Sequence, residues 1–428
     1  MKRRQVLLIL GVLFFLIYRF TFADEVTDKK EEAIALALKE EAMREALQKV
    51  ESNALSEEIE MGGPSSGFSF RPSFYLDSDV IYNDNIWHVA DNVKSDLWLY
   101  FNPEIKLALG NFVEVYSNRL KQQIELDLGA QITHSFFRSV ALNREAPYGR
   151  LVYDLDGGKN KLRFSQDYMR GYDLTSSLIE NAEGLSGYQG GNTDINWEYS
   201  FNRFGLGLGY RRTAKDYYKE YKVTNSFVDN VGSVSGFLKL TPKTRVFLEY
   251  DFGRYEYSEA LTDINDYSYS MLWVGVNGQI TRKLLGLFKV GLDDYAYSGG
   301  VTKDNMMTMK ANLQYKQSSK NTFFLDLSFG NASTGYVDLG IDEQHSVKLG
   351  LLREFNNKLS FTGNFSYASD NYRSGQIDNT YGYSLGLNYL FRKWMKMKLG
   401  FEYQDKSSTA KSAIYKYNRY FFGTEMAF

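Results

Sequence analysis

The chain has no cysteine, only five prolines and only three histidines in 428 residues. Without cysteine there is no disulfide, no thiolate metal site and no lipid-bearing cysteine behind an export signal. So few prolines leave long regular elements uninterrupted. There is no basic surplus either: 50 Lys and Arg stand against 52 Asp and Glu, a net charge of −2. That balance excludes the one-sided basic face of a nucleic-acid binder. After residue 23 no apolar run approaches the ~20 residues that a helix needs to cross a bilayer, which excludes a polytopic helical membrane protein. His88, His134 and His345 are scattered, and no motif sets a nucleophile beside any of them. Metal-ligand spacing, phosphate-cradling glycine loops and cofactor fingerprints are also missing, so no catalytic residue, cofactor or metal is expected.

What is present is aromatic and small: 33 Tyr, 30 Phe and 36 Gly, with aromatics at 16%. Tyr and Phe without Pro favour many regular strands. Two short segments precede them. Lys2, Arg3 and Arg4 lead into an apolar run from Val6 to Tyr18, and Thr21-Phe22-Ala23 has the small residues of a cleavage site. Residues 1–23 therefore read as a signal peptide; the rival, an uncleaved anchor, has a short apolar run for spanning. Residues 24–66 read as a periplasmic helical segment and hinge. Glu31 to Val50 is rich in strong helix formers, and Ile34, Leu38, Ala42, Met43, Leu47 and Val50 form a modest apolar stripe that Leu36 misses. Gly62-Gly63-Pro64-Ser65-Ser66 closes it. A docking helix, a plug in a lumen and a mobile tail all fit this pattern.

From residue 67 the hydrophobic period changes to 2. Tyr381, Tyr383, Leu385, Leu387 and Tyr389 alternate with Gly382, Ser384, Gly386 and Asn388; Phe204, Leu206, Leu208 and Tyr210 alternate with three glycines. Such alternation means one apolar and one wet face. Candidate strands recur from 68–83 to 413–428, about 18 in all, or 16 if the stretch Gly110 to Leu120 is misread. Tight connections such as Gly157-Gly158, Asn202-Arg203 and Asn356-Asn357 alternate with longer ones at 174–189, 217–228 and 334–341. The pattern predicts an all-β fold over 67–428: a transmembrane antiparallel up-and-down β-barrel with short periplasmic turns and, the count being even, both termini periplasmic. A soluble sandwich would use strands of about 5–6 residues; these reach a dozen, enough to cross a bilayer against outer-membrane lipids. Tyr267, Tyr269, Tyr297 and Trp394 are assigned to the aromatic girdles. The end of the chain alternates Tyr420, Phe422, Thr424, Met426 and Phe428, and resembles the signal read by the barrel-assembly machinery of the bacterial outer membrane.

The wet face is charged in both signs. Its acidic candidates are Glu104, Glu125, Asp127, Asp167, Glu198, Glu249, Asp251, Asp293, Asp326 and Glu402; its basic ones are Lys106, Arg163, Arg211, Lys239, Arg245, Lys289, Lys310, Lys348, Lys398 and Arg419. With the signs nearly balanced, no strong ion selectivity is indicated. The set reads either as a network bracing the wall or as a polar track for an uncharged or weakly charged hydrophilic polymer. Tyr188, Tyr217, Tyr218, Tyr221, Tyr336 and Tyr372 are candidate loop contacts to sugar rings, or ordinary loop and girdle residues.

Tyr82-Asn83-Asp84-Asn85-Ile86, followed by Ser95-Asp96 and Asn102-Pro103, resembles the opening of an outer-membrane β-barrel porin family encoded with exopolysaccharide export genes; Gly209-Tyr210-Arg211-Arg212 through Asp216-Tyr217 is similar to its mid-barrel strands. The resemblance covers about residues 66–428. It implies an outer-membrane component of polysaccharide secretion, with a polysaccharide substrate and a periplasmic polysaccharide-export protein as partner. A diffusion porin or small-molecule uptake channel, and an adhesive barrel with a filled lumen, are the other readings.

Overall fold

The computed structural model describes residues 69–86, 93–110, 121–137, 143–174, 185–218, 226–257, 266–298, 302–333, 341–372, 375–410 and 414–428. The expected signal peptide, the helical segment and the hinge lie outside these residues. The described chain forms strands β1 (Ser69–Asn83), β2 (Asp96–Gly110), β3 (Lys121–Ser135), β4 (Arg144–Asp156), β5 (Asn160–Leu174), β6 (Leu185–Phe201), β7 (Phe204–Tyr217), β8 (Phe227–Thr241) and β9 (Thr244–Tyr257). They continue as β10 (Tyr267–Gln279), β11 (Leu284–Tyr297), β12 (Thr302–Lys316), β13 (Asn321–Ser333), β14 (Ile341–Glu354), β15 (Leu359–Asn371), β16 (Ile377–Arg392), β17 (Met395–Ser408) and β18 (Tyr415–Ala427). Each strand pairs antiparallel with the next, and β1 also pairs with β18, so the 18-stranded sheet closes on itself. Closure leaves no edge with unpaired backbone groups, which is what hydrocarbon demands of a spanning sheet. β2 and β3 pair directly with each other, which gives 18 strands rather than 16.

The shortest strands have 13 residues. At ~3.3 Å per residue and a tilt of ~40°, that reaches on the order of 30 Å, the thickness of a bilayer core. The apolar set of every strand faces outward. On β16, Tyr381, Tyr383, Leu385, Leu387 and Tyr389 are all exposed, and on β7 so are Phe204, Leu206, Leu208 and Tyr210. A continuous apolar exterior suits lipid, whereas a soluble monomer rarely exposes such a patch. Exposed rings border it. Tyr82, Tyr168, Tyr210, Tyr381 and Tyr420 lie towards the long-loop end; Phe74, Phe201, Phe204, Phe391, Trp394 and Phe428 lie towards the short-turn end.

Two expectations need correcting. Tyr267 and Tyr269 are not girdle residues. Their register with Tyr255 and Tyr295 places them on the inner face, where Tyr267 joins a buried cluster with Phe227, Tyr255, Tyr257 and Tyr295. Strand-end position suggested a girdle, but side-chain parity decides the face. The connection expected at 174–189 is also shorter, because β6 already begins at Leu185. Its glycines belong to the strand: a Cβ on Gly191 would collide with the Asp167 carbonyl oxygen of β5, so only glycine permits that approach.

The β1–β18 seam is fastened at both ends. At the short-turn end, the Phe74 N–H donates to the Phe428 carbonyl (3.0 Å) and the Phe428 N–H to the Phe74 carbonyl (2.9 Å). Midway, the Ser78 and Thr424 hydroxyls are 3.0 Å apart. At the long-loop end the Tyr82–Ile86 motif takes over. The Asn418 backbone N–H and side-chain amide each donate to Asp84 at 2.7 Å. Asn85 Nδ2 donates to the Lys416 carbonyl at 2.7 Å, and the Asn85 N–H to Asn83 Oδ1 at 2.8 Å. Asn83, Asn85 and Ile86 are buried. Asp96 is likewise fully buried, bonded to the Ser135 hydroxyl and to the N–H groups of Leu97 (2.7 Å) and Phe137 (3.2 Å). Asn83, Asp84, Asn85 and Asp96, among the residues that carry the resemblance, are therefore structural clamps.

Candidate functional site

The inner wall is the only continuous polar surface among the described strands, and its concavity is visible in its contacts. Arg245 of β9 reaches Glu198 of β6 at 2.6 Å, and Lys289 of β11 reaches Glu249 of β9 at 2.8 Å. The Tyr148 hydroxyl of β4 donates to Glu104 of β2 at 2.7 Å, and Tyr269 of β10 to Asp229 of β8 at 2.9 Å. Adjacent strands are ~4.8 Å apart, so contacts two or three strands away form only where side chains converge, on the inside of the curve.

Register places the charged candidates on this face, and most meet an opposite charge or a polar hydrogen. Lys106 bridges Glu125 (3.0 Å) and Asp127 (3.8 Å), and Arg150 meets Asp167 at 3.3 Å. Arg163 sits 3.8 Å from Asp154. Lys398 meets Asp77 at 2.5 Å and Asp79 at 3.2 Å across the seam, and Arg419 meets Glu402 at 2.8 Å. Trp273 Nε1 donates to Asp251 at 3.1 Å, and its ring lies 4.2 Å from the Lys289 ammonium. Asp293 accepts from the Met306 N–H (3.2 Å), and Asp326 from Asn312 (2.6 Å) while facing Lys348 in register. Lys239 donates to the Ser200 hydroxyl at 3.0 Å. Arg211 faces Asp194, and Lys310 faces Lys289.

The Arg245 and Glu198 side chains are each about a third exposed, and a pair of that kind is worth about 0.2–1 kcal/mol in water. The effect of such pairs is to cancel charge locally rather than to stiffen the wall greatly. Replacing Arg245 with Gln should therefore change stability by less than about 1 kcal/mol. It leaves Glu198 uncompensated, so the reversal potential across a salt gradient should move towards cation preference. An unchanged or anion-ward reversal potential would contradict this electrostatic assignment.

The loop-tyrosine expectation fares differently at each position. Tyr188 lies within β6 and Tyr217 ends β7; both are buried on the inner face, their rings 5.7 Å apart with the Lys215 ammonium over them. Tyr372 is buried just after β15. Tyr218 is exposed beyond β7, with the Arg170 guanidinium 5.4 Å from its ring. Tyr221 and Tyr336 lie outside the described residues, as does His88. His345 packs on Phe329 and His134 beside Phe136, on the outward register. Among the described residues no three His, Asp or Glu side chains converge as metal ligands would. Inner-wall residues missed in the sequence are Asp77, Asp79, Tyr148, Arg150 and Trp273. Extending the alternation through β1 and β4 would have found the first four. Trp273 resembles a girdle residue until its register is known.

A family model described as "Putative beta-barrel porin 2" matches residues 61–428. No curated protein matches the chain. Among solved structures, OccAB3 of Acinetobacter baumannii is similar with 11% identity and a TM-score of 0.46, over 84% of this chain and 99% of that one. OpdK of Pseudomonas aeruginosa with vanillate is similar at 10% identity and TM-score 0.45, over 85% and 100%. OccK2 (OpdF) of P. aeruginosa in complex with glucuronate gives 10% and 0.45, over 84% and 98%.

Proposed function

The chain belongs to this β-barrel porin family, and we propose that it is the outer-membrane passage of an exopolysaccharide or capsule secretion system. The observation that carries the reading is the inner wall, where charges of both signs cancel one another strand by strand. A passage for a small ion gains from an unbalanced ring of charge; a balanced wall suits a large, hydrophilic cargo of low charge. The resemblance of the Tyr82–Ile86 and Ser95-Asp96 segments to barrels encoded with polysaccharide-export genes supports the same reading. In this arrangement the short-turn end, which holds the start of β1 and Phe428, faces the periplasm. On this reading a periplasmic polysaccharide-export protein docks there, with residues 24–66, which precede β1 in sequence, as its proposed contact.

Deleting the gene should reduce surface polysaccharide to background while leaving other outer-membrane proteins at their usual levels. Unchanged secretion, together with a steady open conductance of the purified barrel in planar bilayers, would replace this reading with a diffusion porin or small-molecule uptake channel.

A further inference from the structure

Charge is not spread evenly around the inner wall. On β15 the inward positions from Ser360 to Ala368, and on β16 those from Thr380 to Leu390, carry hydroxyl, amide, glycine or aliphatic groups and nothing ionised. We propose that this strip is the binding surface for an uncharged saccharide chain; the proposal rests on the export reading and narrows its cargo to a neutral polymer.

The two β17 charges beside the strip's centre, Glu402 and Lys398, are drawn away from it. Glu402 of β17 is held by Arg419 and by the Tyr417 hydroxyl, both on β18, each at 2.8 Å. Lys398 of β17 turns to Asp77 of β1, and Lys348 of β14 lies in register between Asp326 of β13 and Ser366 of the strip. A charged polymer would lose hydration beside the strip and find a single counter-charge, the Lys348 ammonium at its β14 edge. A polyol exchanges water for equivalent hydrogen bonds.

Two of the strip's hydroxyls are weakly engaged, and its central amide makes one ordinary hydrogen bond. The Thr362 hydroxyl is 3.5 Å from the Gly386 carbonyl, the Ser366 hydroxyl 3.4 Å from the Gly382 carbonyl, and Asn364 Nδ2 3.1 Å from Ser384 Oγ. Good O–H···O bonds are ~2.7–2.8 Å, so these hydroxyls can turn to a ligand at little loss. The glycines let the hydroxyls lie flat on the wall. A Cβ on Gly382 or Gly386 would lie 2.6 or 2.5 Å from the Ser366 or Thr362 hydroxyl oxygen, so each hydroxyl occupies the place a side chain would take on the next strand. Half-buried phenyl rings edge the strip. Phe324 and Asn364 both flank Gly350 in one register row, and Phe421 covers Gly400 in the next. Hydroxyls and amides between apolar rings match the alternation of O–H edges and C–H faces on a sugar.

The test is calorimetric titration of the full-length, detergent-solubilised protein, which does not depend on the lumen being open. The probes are neutral gluco-, manno- and galacto-oligosaccharides and a hexuronate oligosaccharide of the same length. At least one neutral series should bind more tightly than the hexuronate. The double variant Asn364→Asp/Ser384→Asp should weaken that binding at least tenfold, and the milder Ser384→Ala several-fold. Ser233→Asp/Ser235→Asp, with the same added charge on the β8 wall, should leave it unchanged. Equal loss in both double variants, stronger binding of the hexuronate, or no binding of any neutral series would overturn the proposal. If strip-dependent binding holds but gene deletion leaves secretion intact, the strip stands and the export reading falls. If deletion abolishes secretion while strip variants bind normally, the reverse follows.

Discussion

Deleting Phe428 should remove most of the folded barrel from the outer membrane. Its backbone makes two hydrogen bonds to Phe74, and its ring stacks 5.6 Å from Trp394 and packs 6.2 Å from Phe74. Each buried backbone group left unpaired costs about 1–3 kcal/mol. Each aromatic contact contributes about 0.5–1.5 kcal/mol beyond its buried area. Even with some solvent access at the rim, the total approaches several kcal/mol at the one pairing that closes the sheet. Phe428→Ala keeps the backbone bonds and should give an intermediate yield; Phe428→Trp should restore it. The measurement is the heat-modifiable band of outer-membrane fractions, in which folded barrels migrate apart from boiled ones. Normal amounts of folded protein without Phe428 would refute both the seam argument and the expected assembly signal.

An arginine at Val234 should destabilise the barrel far more than one at the adjacent Ser235. Val234 is exposed on the outer face of β8, between Leu208 of β7 and Tyr250 of β9, both also exposed. Arginine on a lipid-facing strand costs about 2–4 kcal/mol near the bilayer midplane. That range lowers the folded-to-unfolded ratio by a factor of roughly 30 to 1,000. Ser235 points inward, opposite Gly207 and in register with Glu249, where an arginine finds water, room and a carboxylate. Its change should stay within about 1 kcal/mol. Urea unfolding of both variants in lipid vesicles decides the matter. Equal destabilisation would mean that the face assignment of β8 is wrong.

Most of the fold was legible because lipid and water sort side chains with a period of two. Phe204 to Tyr210 and Tyr381 to Tyr389 declare both faces without any tertiary information. The strand count survived because β2 and β3 have good alternation on either side of residues 111–120. Legibility failed where parity competes with composition. Gly190 and Gly191 look like loop residues, yet close approach of neighbouring backbones requires small residues inside the strand. Tyr188, Tyr217, Tyr267 and Tyr269 look like girdle or loop rings, yet they turn inward. The charged wall could be placed by alternation alone, but its partnerships could not. Arg245 and Glu198 meet across three strands because the sheet curves, and curvature is not written in any local segment. The Tyr82–Ile86 motif invited a functional reading, while its burial shows that it ties β1 to β18.

The closing seam also governs the timing of folding. Ser78 and Thr424 touch although 346 residues separate them. Each hairpin can form as soon as its own two strands exist, but the first strand must wait for the last. Throughout that interval the growing sheet presents two unsatisfied edges, each a template for pairing with a stranger. Contacts of such long sequence separation are also the slowest to find. The chain therefore passes through a long, vulnerable stage that ends in one late event, and whatever shelters its two edges until then sets how many copies finish.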